Sequence, residues 1–190
     1  MTILQKLRAE TLTHHNGIEE NPLLKKLTGN LSQMEYISIL EKFYGFYLPF
    51  ENSLDWNEVE VLTEMKLNGN RRKVPLLEKD LRYFNVFSDQ ILLSSRYPRS
   101  LSFPALLGCF YVLEGSCLGR KMMWPRLSKK LGLNENEGGV FFYDCGDKLP
   151  ETWKNFCELL TSKIRTDAEE QQCIGAAIQT FENMDNWFKV

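Results

Sequence analysis

At 190 residues with a formal net charge of −2, the chain is expected to form one domain, and it lacks the basic excess that nucleic-acid binding requires. Hydrophobic residues make up 43% and aromatics 12%, enough for a core that needs no disulfide or metal staple. Five cysteines without a Cys-x-x-Cys pair, no apolar leader and no membrane-length apolar run lead to the expectation of a reduced, cytoplasmic protein with no membrane partner.

Helical periodicity runs from the start. Leu4, Leu7, Thr11 and Ile18 share one stripe of a first helix that should end near Asn21-Pro22. Ser32-Gln33-Met34-Glu35 is a capping box, and it opens a long helix carrying Ile37, Leu40, Phe43, Tyr44, Tyr47, Phe50 and Leu54 at three- and four-residue steps. A polar stretch with Asn68-Gly69-Asn70 follows, and Pro75 to Leu81 starts another helix. Ser102-Phe103-Pro104 is an N-cap with a first-turn proline. The apolar helix it opens runs past Met123, where Pro125 should bend or break it. Asn134 to Gly139 is a loop, and Val140 to Tyr143 is the one strand-like run. Pro150 opens a helix through Ile164, and Thr166-Asp167 caps a last one that ends around Trp187-Phe188. The expected fold is an all-α, single-domain helical bundle of seven or eight helices over residues 1–190.

Two adjacent residues, His14 and His15, are the only histidines. Glu19 stands four residues after His15, on the same face, where a carboxylate can hold one ring nitrogen and leave the other for a metal. Arg8 lies two turns earlier on that face, where a cation could meet an anionic ligand group. The same pattern also suits two ordinary surface histidines and a solvated glutamate. In the later helix, Gly108, Gly115 and Gly119 recur at steps of seven and four. Each costs roughly 1 kcal/mol in a helix interior. Such a stripe admits either a large flat ligand or a tightly crossing helix.

These features together resemble the haem oxygenase family. The first helix reads Leu7-Arg8-Ala9-Glu10-Thr11-Leu12-Thr13-His14-His15-Asn16-Gly17-Ile18-Glu19, similar to that family's proximal helix. Phe43-Tyr44-Gly45-Phe46-Tyr47-Leu48-Pro49-Phe50-Glu51 resembles the second-helix signature of the bacterial branch that supplies biliverdin to phytochromes, as does Arg71-Arg72-Lys73 before Leu76. Tyr111 to Gly119 is similar to the distal-helix motif, and the likeness extends to Thr180-Phe181-Glu182 and Trp187. The resemblance covers nearly the whole chain.

It implies a haem oxygenase that opens haem b to biliverdin, carbon monoxide and ferrous iron with O2. It makes His15 the iron ligand and Glu19 its partner. Gly115 and Gly119 would lie over the distal face, Arg8 and Lys154 would meet propionates, and Tyr111 would bond through ordered water. Where many members carry an aspartate after the first distal glycine this chain has Ser116, so proton delivery falls to Ser116, water or another group. Arg120 replaces a second glycine, and outward, propionate-directed and haem-reorienting positions are all open to it. With no flavin or iron–sulfur motif, electrons must come from a ferredoxin-like or flavoprotein donor, and a phytochrome is the implied recipient of biliverdin.

Three rivals stand beside this reading. One is a haem carrier or sensor of the same fold. Another is a thiaminase-like hydrolase with Cys117 as nucleophile and Arg120 as its cationic partner. The third is an interaction module without a ligand. A di-iron carboxylate bundle is disfavoured, because neither histidine has Glu three residues before it.

Overall fold

The computed structural model describes residues 1–63, 72–99, 101–144 and 148–190. Nine α-helices are formed among them: α1 Ile3–Glu19, α2 Pro22–Lys25, α3 Gln33–Asn52, α4 Trp56–Thr63, α5 Val74–Tyr83, α6 Phe103–Leu131, α7 Val140–Tyr143, α8 Leu149–Lys163 and α9 Asp167–Lys189. The architecture is all-α, as the periodicity predicts. The polar stretch Asn68-Gly69-Asn70, together with Arg71 and Cys145, lies outside the described residues.

Helix starts follow local chemistry closely. Thr2, Ser32 and Thr166 each close a capping box, with Gln5, Glu35 and Glu169 returning the bond. Ser102 has the extended N-cap backbone but makes no cap bond; its hydroxyl donates instead to Gln172 on α9 at 2.6 Å. Pro125 does not end α6. The helix forgoes one backbone bond there, continues to Leu131, and stops at Gly132, whose φ of 66° is left-handed.

The strand expected over Val140 to Tyr143 is a single turn of helix. A strand needs a partner edge, whereas this segment meets a buried carboxylate. Asp80 of α5 accepts the Val140 and Phe141 amides, each at 2.8 Å, and so caps the turn. Burial raises the Asp80 pKa to about 6, against the lowering effect of those two bonds.

One hydrophobic cluster draws on α1 through α9. Its centre is aromatic: Phe43 of α3 packs at 4.9 Å from both Phe141 of α7 and Phe188 of α9. Helices α1 and α6 both lie along α9. Lys6 pairs with Glu170 and His14 with Glu182; Ser102 meets Gln172 and Gly108 meets Ala177. Both sets of contacts advance together, so α1 and α6 run in the same direction along α9. No described helix is long and apolar enough to cross a membrane.

Candidate functional site

The first half of α1 meets α6 at Tyr111. Burial pushes the Tyr111 phenol above its ordinary pKa, against the lowering pull of the Thr11 hydroxyl and the Arg8 charge. Thr11 and Arg8 of α1 therefore face Tyr111. One turn further along each helix stand His15 and Gly115.

The two histidines differ less in their partners than the sequence suggests. His15 Nδ1 lies 3.7 Å from Glu19, but His14 Nδ1 lies 3.7 Å from Glu182 of α9. A nearby carboxylate is therefore common to both rings, and what differs is their exposure. The His15 side chain is 52% exposed, against 30% for His14. Its ring stands edge-on to Phe181 at 5.9 Å, which steadies the imidazole from one side and leaves the other open.

The glycine stripe of α6 divides by role. A Cβ on Gly108 would come within 2.0 Å of the Cys173 carbonyl oxygen, so this glycine serves the crossing with α9. A Cβ on Gly115 would meet only the rim of the Trp153 indole at 3.4 Å, and one on Gly119 would meet nothing within 4 Å. Leu118 and Met122 beside them are exposed, as is Leu12 on α1. Gly115 thus lies under Trp153, while Gly119 is bare backbone flanked by apolar side chains.

Lys154 stands apart from these groups. It is exposed on α8, 3.7 Å from Glu158, and lines a groove of about 350 Å³ with Leu4, Cys157 and Thr161.

Beneath the bare surface lies a buried polar layer. Arg120 is turned inward, neither to solvent nor to a surface anion: it donates to Cys117 Sγ at 2.8 Å, lies 3.6 Å from Asp144 and stacks 4.0 Å over Phe141. Lys73 reaches the same Asp144 at 2.6 Å. Burial alone would lower the Lys73 pKa, yet Glu114, Cys117 and Asp144 hold it above its ordinary value. Cys117 is 1% exposed, so a thiolate there could not meet a substrate. Ser116 donates to the Leu113 carbonyl at 2.6 Å and lies against the buried Tyr47 phenol.

Several of these groups had no site role assigned from their spacing, although Tyr47 and Glu51 belong to the second-helix signature. Glu51 and Tyr47 are one turn apart on α3, and a carboxylate in so aromatic a stripe was their available signal. Asp144 and Trp153 carry no local signal, because each meets partners far along the chain.

Among the described residues no three His, Cys, Asp or Glu side chains gather as a metal cage would. The whole chain, residues 1–190, matches the family model described as haem oxygenase. It belongs to the haem oxygenase family. Membership makes it an oxidative haem-degrading protein.

A curated haem oxygenase of Xanthomonas campestris pv. campestris (strain 8004) is 27% identical over 155 residues, 80% of this chain and 88% of that one. Among solved structures, the NO- and CO-bound haem oxygenase of Neisseria meningitidis superposes with a TM-score of 0.78 at 19% identity, over 100% of this chain and 94% of that one. Haem oxygenase from Leptospira interrogans gives 0.78 at 20% identity, over 99% and 98%. The haem complex of haem oxygenase-1 from Synechocystis sp. PCC6803 gives 0.75 at 15%, over 100% and 91%. At these identities the structural likeness concerns the fold alone.

Proposed function

We propose that this haem oxygenase cleaves haem b to biliverdin, carbon monoxide and ferrous iron, with His15 as the iron ligand. The observation that carries the assignment is the accessible His15 ring, steadied by Phe181 and one turn beyond the contact between α1 and Tyr111 of the glycine-bearing helix.

When bound, haem supplies both the iron at which O2 is reduced and the ring that is oxidised. The protein's tasks are binding, orientation and proton supply. His15 holds the metal through one nitrogen while Glu19 attends the other, which fixes the tautomer. Gly115 and Gly119 leave α6 thin enough to lie against a macrocycle, and Trp153 closes over the Gly115 end. Arg8, next to Tyr111, pairs with one propionate; Lys154 takes a second if it leaves Glu158. Tyr111 and Ser116 order water at the distal face. Electrons come from a ferredoxin-like or flavoprotein donor, and a phytochrome is a fitting recipient for the product.

Hemin titration followed by absorption spectroscopy, then ascorbate or reduced ferredoxin in air, tests the proposal. A stoichiometric Soret band that decays to a biliverdin spectrum is expected. A Soret band stable under those conditions would make the protein a haem carrier or sensor.

A further inference from the structure

In its second half α6 is weak as a helix. Gly115 and Gly119 have no side chains to pack, and Pro125 supplies no amide to the backbone ladder. Its buried side thins out there as well: between Cys117 and Leu127 only Arg120 is buried. Leu118, Gly119 and Met122 are exposed and follow Gly115 at helical steps, so they form the outward face. What holds this stretch reaches it from behind, through Arg120 and the half-buried Trp124.

Both side chains land on α7. The Arg120 guanidinium stacks 4.0 Å over Phe141 and lies 3.6 Å from Asp144, the residue that follows the turn. The Trp124 ring packs 5.6 Å from Tyr143 and fills the space that a Cβ on Gly139 would take. The single turn is in its own right fastened to α5 at both ends. Asp80 accepts the Val140 and Phe141 amides, and Lys73, at the cap of α5, pairs with Asp144 at 2.6 Å. The side chains of Arg120, Lys73 and Asp144 are at most 3% exposed, so salt and water screen these pairings little.

We infer that Arg120 is a positioning residue: propped on α7, it sets how far the Gly119 backbone stands out over the ligand face, and so the space left there for a macrocycle and the small ligand on its iron. The role rests on the haem-binding reading above. Arg120 acts through the helix and does not touch the ligand. Its planar fork suits the task, because it meets Cys117, Asp144 and Phe141 together, which a lysine ammonium cannot do. With a glycine in its place, no buried side chain would hold α6 between Cys117 and Leu127.

Amide hydrogen exchange of the haem-free protein tests the prop without turnover. Arg120→Met and Asp144→Asn leave the glycines of α6 in place and cost it little helix propensity. Each should speed exchange at amides 118–124 at least roughly tenfold, while amides 106–112, along the crossing with α9, keep the wild-type rate. Arg120→Lys, which keeps the charge without the fork, should fall between. If Arg120→Met proves too unstable, the double variant Arg120→Met/Asp144→Asn removes both charges together and carries the same expectation. With hemin bound, reduced by dithionite and exposed to CO, the carbonyl stretching band should shift in Arg120→Met and Asp144→Asn and return toward the wild-type position in Arg120→Lys. Wild-type exchange at 118–124, or an equal rise at 106–112, would overturn the role, since the hold would then be absent or merely general. A local rise with an unmoved carbonyl band would overturn it too, because α6 would be held there without being placed toward the ligand. Each of these results leaves the haem assignment standing. Wild-type protein that binds no hemin would overturn both.

Discussion

At the scale of single residues, the choice between His14 and His15 rests on geometry that sequence spacing does not contain. By spacing alone the carboxylate four residues on singles out His15, yet Glu182 arrives from α9 at the same 3.7 Å from His14. What separates the two rings is that His15 is the more open, with one edge braced on Phe181. His15→Ala should therefore lose the normal ferric spectrum and weaken haem binding by at least the roughly 10- to 100-fold that follows loss of a ligand's supporting group. Added imidazole should restore the spectrum. His14→Ala should bind haem as the wild type does. Titration of both variants decides the matter, and equal losses would displace His15 as the ligand. Arg120 teaches a related lesson. A cation in place of a small distal residue invites a role toward the ligand, but its guanidinium is held inward by Cys117, Asp144 and Phe141.

At the scale of elements, the glycines of α6 show how one spacing serves two purposes. Gly108 is needed because the Cys173 carbonyl occupies the space of its Cβ, and that neighbour is backbone. Gly119 has no such neighbour. Gly108→Ala should destabilise the fold by about 1–3 kcal/mol through overpacking, beyond what the better helix propensity returns. Gly119→Ala should stabilise the haem-free protein by about 0.5–1 kcal/mol and weaken haem binding. Thermal melting with and without hemin separates the two, and a loss of haem-free stability in Gly119→Ala would contradict the open geometry. Helix positions were legible because caps and periodicity are local: the box at Ser32 and the cap at Thr166 form as spaced, and the structure adds a box at Thr2. Val140 to Tyr143 was misread because what decides it, the Asp80 carboxylate, lies 60 residues earlier in the chain. Likewise His15, Glu19 and the glycines of α6 stood out by spacing and Tyr111 through the family resemblance, whereas Trp153 and Asp144 join these residues only through tertiary packing.

At the scale of the whole molecule, buried carboxyls give stability a pH dependence that can be assigned a sign. Glu51 and Asp80 both have raised pKa values in the fold, about 7 and about 6, against 4.5 and 3.8 for the ordinary groups. Between the ordinary and the raised value, the unfolded chain has released a proton that the folded chain still holds. Each rise in pH across that window therefore favours unfolding. The stabilisation is complete below the ordinary values and is lost as pH climbs to about 7, after which the curve levels. For Glu51 the loss is at most on the order of 3 kcal/mol, at ~1.4 kcal/mol per tenfold. Two capping carboxylates act oppositely. The Lys26 ammonium and the Ser32 bonds lower Glu35 to about 2, and the Arg165 and Thr166 amides lower Glu169, so both lose their contribution only as the solution becomes acidic. Urea midpoints measured from pH ~5 to ~8 should therefore fall with pH in the wild type, and Glu51→Gln should flatten most of that fall, because a neutral amide keeps both backbone bonds without the buried charge. An equally steep decline in Glu51→Gln would mean that Glu51 ionises as freely in the fold as outside it.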